Sequence, residues 1–377
     1  MNGLRVLHAH PGNLFGGIET MLVTIARHAP GADRHAFALC FAGRLADDLA
    51  AAGAPVTRLS PPRLSRPWTV RRARQDLLAL LSREPADVVI CHSPWSLAVF
   101  GPAIRRARLP VALWLHGPLS SRSWLDRFAA RRQPDLLLCN SRYTADCATA
   151  LFRGPAQIVY PPVQPAHVDR ASARDALRAA LGAAPSETVI LQVSRLESWK
   201  GHHLLLEALG DLRDTPGWTC WVAGGAQRPA ETRYLETLKR AAASLHIERR
   251  VRFLGERRDV PQLMAAADVF CQANQAPEPF GIVFIEALQA GLPVVTTDLG
   301  GAREILTPDC GVLVAPANAA ALAQALRQLV DQPGRRSGLG SGGPLRAREL
   351  CDPAAQLARL AAVLRGAGRI EFAPPTA

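Results

Sequence analysis

Short apolar runs alternate with longer amphipathic stretches along almost the whole chain. The runs, such as LRVLHA and DVVICH, are rich in Val, Ile and Leu, which is typical of buried parallel strands. The longer stretches carry apolar residues at helical spacing. This alternation predicts helices covering parallel, doubly wound sheets.

The predicted strands are 4–9, 35–41, 56–59, 87–91, 111–116, 135–139, 157–160, 188–194, 219–223, 251–254, 269–272, 293–296 and 311–314. The predicted helices are 18–28, 69–82, 97–108, 124–131, 141–151, 174–181, 201–213, 231–244, 260–266, 282–290 and 319–331.

The alternation is interrupted once, by YPPVQP at 160–165. Three prolines in six residues form a stiff, extended connection, so a domain boundary is expected there. A Gly/Ser-rich segment at 332–345 is expected to be mobile. Two α/β domains predict a ligand cleft at the carboxyl ends of the strands. The expected organisation is a first domain over 1–163, a second over 164–343, a C-terminal helix over 344–366 packing back towards the first domain, and a tail over 367–377.

Charge is unevenly distributed along the 377 residues. The net charge is +12, and residues 1–165 hold 20 Arg against 10 acidic residues. A basic surface attracts nucleic acid, anionic lipid or an anionic substrate. Nucleic-acid binding would need aromatic residues among the basic ones, and aromatics make up only 6%. The stretch 124–132, with Trp124 and Phe128 beside several arginines, predicts either an interfacial amphipathic helix or an ordinary surface helix.

Cysteines and apolar runs bear on location. The eight cysteines are scattered without CxxC or Cys/His clusters, so they are interpreted as buried, reduced thiols rather than zinc ligands or disulfides. The first strand lacks the features of a signal peptide, and no clean apolar run reaches the length of a membrane span. The expected location is cytoplasmic, with peripheral association at the inner face of the membrane as an open alternative.

The segment EPFGIVFIEALQAGLPVV contains two glutamates, Glu278 and Glu286. Pro279 to Gly281 predict a loop that opens a helix, and Gly291 ends that helix. If the segment is helical, the two carboxylates are about 12 Å apart along the axis. A helix N-terminus between them favours an anion. This pattern predicts a site for a sugar joined through a diphosphate to a ribose, and solvated surface glutamates are the alternative.

Other candidate residues come at the ends of strands. Arg195 and Lys200 follow a strand, and two cations there suit a diphosphate, while surface ion pairing is the alternative. Gly16 and Gly17 precede a helix, so they either let the backbone approach a phosphate or form a plain turn. His116 ends the WLHG strand and could bind a sugar or handle a proton. Three further histidines also end or follow strands: His8, His10 and His92.

Four segments of the chain resemble glycosyltransferase family 4: SRLESWKGHHLLLEAL, FLGERRDVPQLMAAADVF, EPFGIVFIEALQAGLPVVTTDLGGAREIL and, more weakly, FGGIET. Their order covers almost the whole chain. The resemblance implies a GT-B fold, in which two Rossmann-like, doubly wound domains face each other across a cleft. It also implies a retaining transfer of a hexose from a nucleotide-sugar to an acceptor hydroxyl. A serine is more frequent in the family where this chain has Asn274.

The resemblance assigns roles to individual residues. Arg195 and Lys200 stabilise the departing nucleoside diphosphate, Glu278 holds hydroxyls of the transferred sugar and Glu286 holds the ribose. His116 contacts the transferred sugar. Donor binding is completed by Phe280, Gly281 and Ile282 through backbone N–H groups, by Gly255 and Glu256 at the base, and by Gly16 and Gly17 at the phosphates.

The chain contains no Asp-x-Asp, the paired acids with which many such enzymes hold Mg²⁺ or Mn²⁺. We therefore expect no metal site and no cofactor. No residue is an obvious covalent nucleophile, so a front-face mechanism is implied.

The sequence thus predicts a metal-independent hexosyltransferase, consistent with bacterial polysaccharide or glycolipid synthesis. The expected partners are a nucleotide-sugar donor and a saccharide or lipid-linked acceptor, with an anionic membrane surface as a further candidate and no nucleic acid. The alternatives are a nucleotide-sugar 2-epimerase of similar fold and a basic nucleic-acid-binding protein.

Overall fold

The computed structural model describes residues 3–13, 16–29, 31–226 and 228–367. Phe15 of the FGGIET segment and the tail after residue 367 lie outside the described residues. Contacts divide the chain into two compact units. Unit 1 comprises the residues up to Gln164 together with those from Cys351 onward, and unit 2 comprises Pro165–Leu350.

Unit 1 contains a seven-stranded, all-parallel sheet with the order β3-β2-β1-β4-β5-β6-β7. Most of its strand residues are buried, and on one side of the sheet they pack with α3, α4 and α5 around Phe100 and Leu113. Its elements before residue 165 are β1 (Arg5–His10), α1 (Gly17–His28), β2 (Arg34–Leu39), α2 (Arg44–Ala51), β3 (Val56–Arg58), α3 (Pro67–Arg83), β4 (Val88–Cys91), α4 (Pro94–Arg106), β5 (Val111–Leu115), α5 (Trp124–Ala130), β6 (Leu136–Cys139), α6 (Arg142–Ala148) and β7 (Ala156–Ile158).

Unit 2 contains a six-stranded parallel sheet with the order β10-β9-β8-β11-β12-β13. Its strand order reverses between β8 and β11, and ligands of such sheets bind at the carboxyl ends near this point. Its elements are α7 (Arg170–Leu181), β8 (Thr188–Val193), a 3-10 turn (Ser198–Lys200), α8 (His202–Gly210), β9 (Trp218–Ala223), α9 (Pro229–Ser244), β10 (Val251–Gly255), α10 (Val260–Ala266), β11 (Val269–Gln272), α11 (Ile282–Gln289), β12 (Val294–Thr297), α12 (Ala302–Ile305), β13 (Gly311–Val314), α13 (Ala319–Asp331) and α14 (Pro333–Cys351).

The strand pattern is confirmed, since each predicted strand is present to within two residues at either end. All eight cysteines are free, and only Cys147 is partly exposed. The helix predictions contain errors. The helix α2 was not predicted because its eight residues carry only two buried apolar positions, Leu45 and Leu49.

The prediction that residues 332–345 are mobile is wrong, because they form most of α14. The glycines that suggested mobility lie where this helix touches other backbone. A Cβ on Gly340 would be 2.5 Å from the Gly291 carbonyl oxygen, one on Gly342 would be 2.3 Å from that of Asp309, and one on Gly343 would be 2.7 Å from that of Leu288. The helix can approach this closely only because these positions have no side chains. The high glycine content therefore reflects close packing rather than mobility.

Two glycines of α14 provide a matched test of this packing. A Cβ on Gly338 would have no neighbour within 4 Å outside the backbone of its own helix, so Gly338→Ala should stabilise the protein by about 0.5–1 kcal/mol through helix propensity. Gly342→Ala should destabilise it by about 1–3 kcal/mol through overpacking. Urea unfolding of both variants measures the difference, and equal effects would show that α14 does not pack in this way.

The C-terminal helix predicted over 344–366 is two helices, because α14 ends at Cys351 and α15 runs over Pro353–Ala367. The predicted boundary at 343 therefore falls inside α14. The second helix, α15, packs on α1 in unit 1. Arg359 donates to the carbonyl of Ile158 at 2.7 Å, and Arg365 pairs with the buried Asp33 at 2.9 Å. None of the described helices is long and apolar enough to cross a membrane.

Candidate active site

A buried ion pair lies at the carboxyl edge of the sheet of unit 2. Lys200 Nζ is 2.6 Å from Glu278 Oε2, and the two side chains are 11% and 13% exposed. Lys200 ends the 3-10 turn after β8, and Glu278 lies in the loop after β11, so the pair connects two neighbouring strand ends. The sequence predicted both residues as site residues, and the structure brings them together.

The glycine after Lys200 makes this approach possible. Gly201 has φ +73°, and a Cβ there would lie 1.6 Å from the carbonyl oxygen of Ala273. The start of α8 therefore touches the backbone that follows β11, which carries the chain towards Glu278. Gln275 N also donates to the carbonyl of Trp199 at 2.7 Å, which fixes the same contact.

Three residues of this centre were not predicted. Asn274 donates from Nδ2 to Glu278 Oε2 at 3.2 Å, and Gln272 donates from Nε2 to the same oxygen at 3.4 Å. Lys200 Nζ also lies 4.0 Å from the centroid of the Trp199 ring, a cation–π contact. A signal was available for Gln272 and Asn274, since both are polar residues at the end of the apolar run VFCQAN. The unusual Asn274 is thus a direct partner of Glu278.

The loop that carries Glu278 is held by a pair of glycines, Gly300 and Gly301. Gly301 N donates to the carbonyl of Glu278 at 2.8 Å, and a Cβ on Gly300 would lie 2.3 Å from that same oxygen. The side chain of Phe280 is buried beneath the loop. Gly281, with φ +108°, caps α11, and Ile282 is its first residue. Glu278 therefore lies outside the helix, and the axial spacing of about 12 Å expected for a continuous helix does not apply.

Glu286 projects from α11 and is only partly buried by surface area. Loss of hydration nonetheless raises the pKa of its carboxyl group to about 7. Its carboxylate has no ion pair or hydrogen bond within the part of the chain that the structure describes. A carboxyl group in this state favours a ligand that brings hydrogen-bond donors, as vicinal hydroxyls do.

The raised pKa predicts a pH-dependent stability. Between pH 4.5 and about 7 the unfolded chain releases the Glu286 proton while the folded protein retains it, so the unfolding free energy falls as pH rises. Glu286→Gln removes this dependence. Relative to the wild type, the variant should gain about 3 kcal/mol between pH 4.5 and 8, since each pKa unit corresponds to about 1.4 kcal/mol. Urea unfolding at several pH values measures the gain, and Glu236→Gln, at an exposed site, should show none.

Arg195 lies outside the Lys200–Glu278 network. Its side chain is 55% exposed and pairs with Glu197 at 3.1 Å, and within the described residues no other partner is found for it. The structure therefore places it at the predicted strand end but does not join it to the buried pair.

The predicted base-site residues lie at the end of β10. Gly255 ends the strand with φ +67°, and Glu256 is exposed. Gly225, which follows β9, allows this turn to come close, because a Cβ there would lie 2.6 Å from Glu256 Cβ. The neighbouring Arg257 is bound to Asp259 at 2.5 Å, and this pairing lowers the pKa of Asp259.

Three predicted residues belong to unit 1. Gly16 caps α1 in an extended conformation, and Gly17 is the first residue of that helix, which is the element after β1. His116 follows β5 at the same edge of the sheet, and its Nε2 lies 3.0 Å from Nδ1 of His92. Burial lowers the pKa of His116 to about 3, so its imidazole is neutral at pH 7.

Two family models match different parts of the chain. Residues 173–346 match the family model described as glycosyl transferases group 1, and residues 15–167 match glycosyltransferase family 4. The chain is 32% identical to a GDP-mannose-dependent alpha-(1-6)-phosphatidylinositol monomannoside mannosyltransferase of Mycolicibacterium smegmatis, over 76% of this chain and 78% of that protein. The match to a Corynebacterium glutamicum mannosyltransferase, at 32% identity, covers 45% of each protein.

Solved structures extend the likeness to both units. Anabaena HepE, crystallised with UDP and glucose, aligns with a TM-score of 0.84 at 26% identity, covering 96% of this chain and 99% of that one. A Rickettsia africae glycosyltransferase aligns with a TM-score of 0.86 at 18% identity, over 98% of this chain and 100% of that one, which supports the fold alone.

The two parallel sheets, together with these similarities, define a glycosyltransferase with two Rossmann-like domains of the GT-B fold. The chain belongs to glycosyltransferase family 4. The comparisons support neither the 2-epimerase nor the nucleic-acid-binding alternative.

Proposed function

We propose that this protein transfers a hexose, with retention of anomeric configuration, from a nucleotide-sugar to a hydroxyl of a saccharide or lipid-linked acceptor. The observation that carries the proposal is the buried Lys200–Glu278 pair, held by two amides at a strand edge. Burying a cation and an anion costs desolvation free energy, which only their mutual attraction or contacts with a ligand can offset. Bacterial glycolipid and polysaccharide synthesis is the proposed context, because the family relatives include enzymes of lipopolysaccharide core synthesis.

Each site residue receives a role on this proposal. The ammonium group of Lys200 faces the diphosphate, where negative charge grows as the leaving group departs, and Arg195 adds a second cation from the surface. Glu278 accepts hydrogen bonds from hydroxyls of the transferred sugar. Glu286 accepts them from the ribose, which matches its partially buried carboxylate. Backbone N–H groups of residues 280–282, beside the start of α11, bind phosphate oxygens.

The proposed reaction takes place on one face of the sugar. The bond between the anomeric carbon and the phosphate oxygen breaks, and a bond to the acceptor oxygen forms on the same face. The departing phosphate oxygen takes the proton of the acceptor hydroxyl, so no protein nucleophile is required. We expect the reaction to survive chelation of divalent metals, because the side chains of Lys200 and Arg195 supply the positive charge.

A donor panel tests the proposal. Nucleotide release is measured from UDP-, GDP-, ADP- and TDP-sugars, with and without EDTA, in the presence of bacterial glycolipid and oligosaccharide acceptors. Turnover of at least one donor, with retention shown by NMR of the product, is expected. A folded protein that neither binds nor consumes any of these donors would refute the assignment. The panel also identifies the nucleotide base of the donor. This matters because the Mycolicibacterium smegmatis relative is named for GDP-mannose, while HepE was crystallised with UDP-glucose.

We also propose that the protein acts at a membrane surface, which it contacts through unit 1. Two tryptophans of unit 1 are largely exposed, Trp68 at 67% and Trp124 at 61%. Each lies in the first turn of a helix, α3 or α5, that begins at the carboxyl edge of the sheet. Exposed arginines accompany them, namely Arg66, Arg71, Arg72, Arg122, Arg127 and Arg131. Exposed aromatic rings beside cations favour an anionic lipid surface.

Other arginines of unit 1 are not available for lipid. Arg74 donates to the carbonyls of Ala98 and Val99, and Arg132 lies 4.3 Å from the centroid of the Phe128 ring. Leu125 and Phe128 pack against the core, so α5 presents Trp124 rather than a whole apolar face. Flotation with liposomes should show binding that requires anionic lipid and is lost when Trp68 and Trp124 are both replaced by serine. An unchanged double variant would exclude this surface.

A further inference from the structure

Four histidines of unit 1 form a continuous hydrogen-bonded chain. His35 Nδ1 lies 2.8 Å from His8 Nε2, His8 Nδ1 lies 2.8 Å from His92 Nε2, and His92 Nδ1 lies 3.0 Å from His116 Nε2. The residues lie on, or directly after, the neighbouring strands β2, β1, β4 and β5. The chain thus crosses the sheet from a cavity of about 640 Å³, which His35 lines near the amino ends of β1 and β2, to His116 at the carboxyl edge.

The two middle rings of the chain are fully buried, and they lie nearly edge to edge. His8 and His92 are 0% and 1% exposed, and their ring centroids are 5.1 Å apart. Phe37 stacks on His8 at 4.9 Å. Burial lowers the pKa of all four imidazoles, to about 4 for His35 and about 3 for His116, so each ring is neutral at pH 7. They do not converge on a common centre, and among the described residues no cluster of His, Cys, Asp or Glu is placed to hold a metal ion.

Neutral imidazoles in such a chain cannot choose their tautomers independently. Each ring has one N–H donor and one nitrogen acceptor. His8 and His92 use both nitrogens within the chain, so all three hydrogen bonds form only if every ring has the same tautomer. Either all four rings are protonated at Nε2 or all four at Nδ1. Any other arrangement leaves two N–H groups or two lone pairs facing each other in a buried site, which costs about 1–3 kcal/mol.

The carboxylate of Asp33, near the His35 end, favours one of these two states, although its ion pair with Arg365 at 2.9 Å weakens the effect. Asp33, whose side chain is 4% exposed, acts on His35 so as to favour its protonated form, against the effect of burial. With every Nε2 protonated, the N–H dipoles point from His116 towards His35, and the positive end of the chain lies beside the carboxylate. His116 then presents the lone pair of Nδ1 at the carboxyl edge.

We propose that His35, His8 and His92 are positioning residues that hold His116 in the Nε2–H tautomer, so that its Nδ1 accepts a hydrogen bond from a hydroxyl of the sugar or acceptor. This inference rests on the proposed function for the role of His116. The coupling of tautomers along the chain does not depend on it. His35 acts from three hydrogen bonds away and does not touch the ligand.

Tautomers are read directly by NMR. In protein labelled with ¹⁵N-histidine, long-range ¹H–¹⁵N spectra distinguish protonated from unprotonated ring nitrogens, and the ten histidines are assigned by single substitutions. The expected result is a protonated Nε2 and an unprotonated Nδ1 at positions 8, 35, 92 and 116. Mixed tautomers among these four, or a protonated Nδ1 at His116, would overturn the proposal even if no variant folded.

Substitution at the remote end tests the relay. His35→Leu removes the acceptor for the Nε2–H of His8, so the nitrogens of His116 should shift towards the Nδ1–H form. The value of kcat should fall about two- to tenfold, the equivalent of one hydrogen bond, with KM for the donor unchanged. His35→Asn supplies an amide oxygen near the position of Nδ1 and should restore both the spectrum and kcat.

The outcomes separate the inference from the proposed function. If His35→Leu leaves the His116 spectrum unchanged, or if Leu and Asn behave alike, the positioning role is wrong. If the donor panel shows no transfer while the four tautomers remain coupled, the proposed function fails and the histidine chain stands as a property of the fold.

Discussion

Replacing Glu278 with glutamine should lower kcat by about 10²–10³-fold without unfolding the protein, the effect typical of removing one electrostatic contact that stabilises a transition state. The carboxylate is the counter-ion of Lys200 at 2.6 Å and accepts from two amides. Glutamine has a similar shape, yet it leaves the ammonium group without a negative partner and offers the sugar hydroxyls a weaker acceptor. Steady-state kinetics with the donor found in the panel measures the loss.

The chain supplies a matched control, because it contains only two lysines and each pairs with a glutamate. The Lys239–Glu236 pair, 2.8 Å apart, is 49% and 57% exposed. Glu236→Gln should therefore leave kcat unchanged and alter stability by less than about 0.5 kcal/mol. A folded Glu278→Gln protein with nearly normal kcat would mean that the buried pair is structural and that the site lies elsewhere.

The largest loss of stability should come from Asp268→Ala, at about 3–5 kcal/mol, because it leaves a buried charge without its partner. Arg178, only 5% exposed at its side chain, binds the Asp268 carboxylate, and Arg174 binds it at 2.8 Å. The same carboxylate accepts from Val189 N at 2.7 Å, at the start of β8. The Asp268 side chain, between α10 and β11, thus connects α7 with β8, a central strand of unit 2.

The exposed pair Arg303–Asp298 is the comparison for this variant. Its N–O distance of 2.7 Å is similar, but its side chains are 60% and 44% exposed. Asp298→Ala should cost about 0–1 kcal/mol. Urea unfolding of both variants, followed by circular dichroism, measures the contrast. Similar small losses would show that Arg178 finds compensation in the carbonyls around it, such as those of Ala266 and Glu187.

The strands, and the positions of Lys200 and Glu278 after two of them, could be predicted from the sequence because their signals are local. The run VFCQ is apolar, short and bounded by turn residues, and β11 forms over the same residues. Lys200 and Glu278 follow strands that become neighbours in the sheet, so their meeting follows from the topology. The family resemblance predicted the roles of these residues, and the rule that ligands bind at the carboxyl ends of parallel strands predicted their position.

The features that escaped prediction depend on contacts between distant parts of the chain. Nothing local indicates that Gly340 and Gly342 face backbone rather than solvent, since they pack on Gly291 and Asp309, far earlier in the chain. The histidine chain joins residues up to 84 positions apart, and strand ends alone did not show which nitrogen would face which. Arg195 is the exception, because its partner Glu197 lies only two positions away and the motif alone did not indicate that the side chain would be exposed.

The return of the chain to unit 1 has a consequence for how the molecule matures on the ribosome. The sheet of unit 1 is complete at Ile158, but α15, which packs on α1 and binds Asp33, is synthesised only after unit 2. Unit 2 is contiguous and can finish folding first, although it is encoded second. A nascent chain stalled before residue 353 would carry unit 1 without the helix that packs on α1, and a gene fragment ending at residue 164 would always lack that helix.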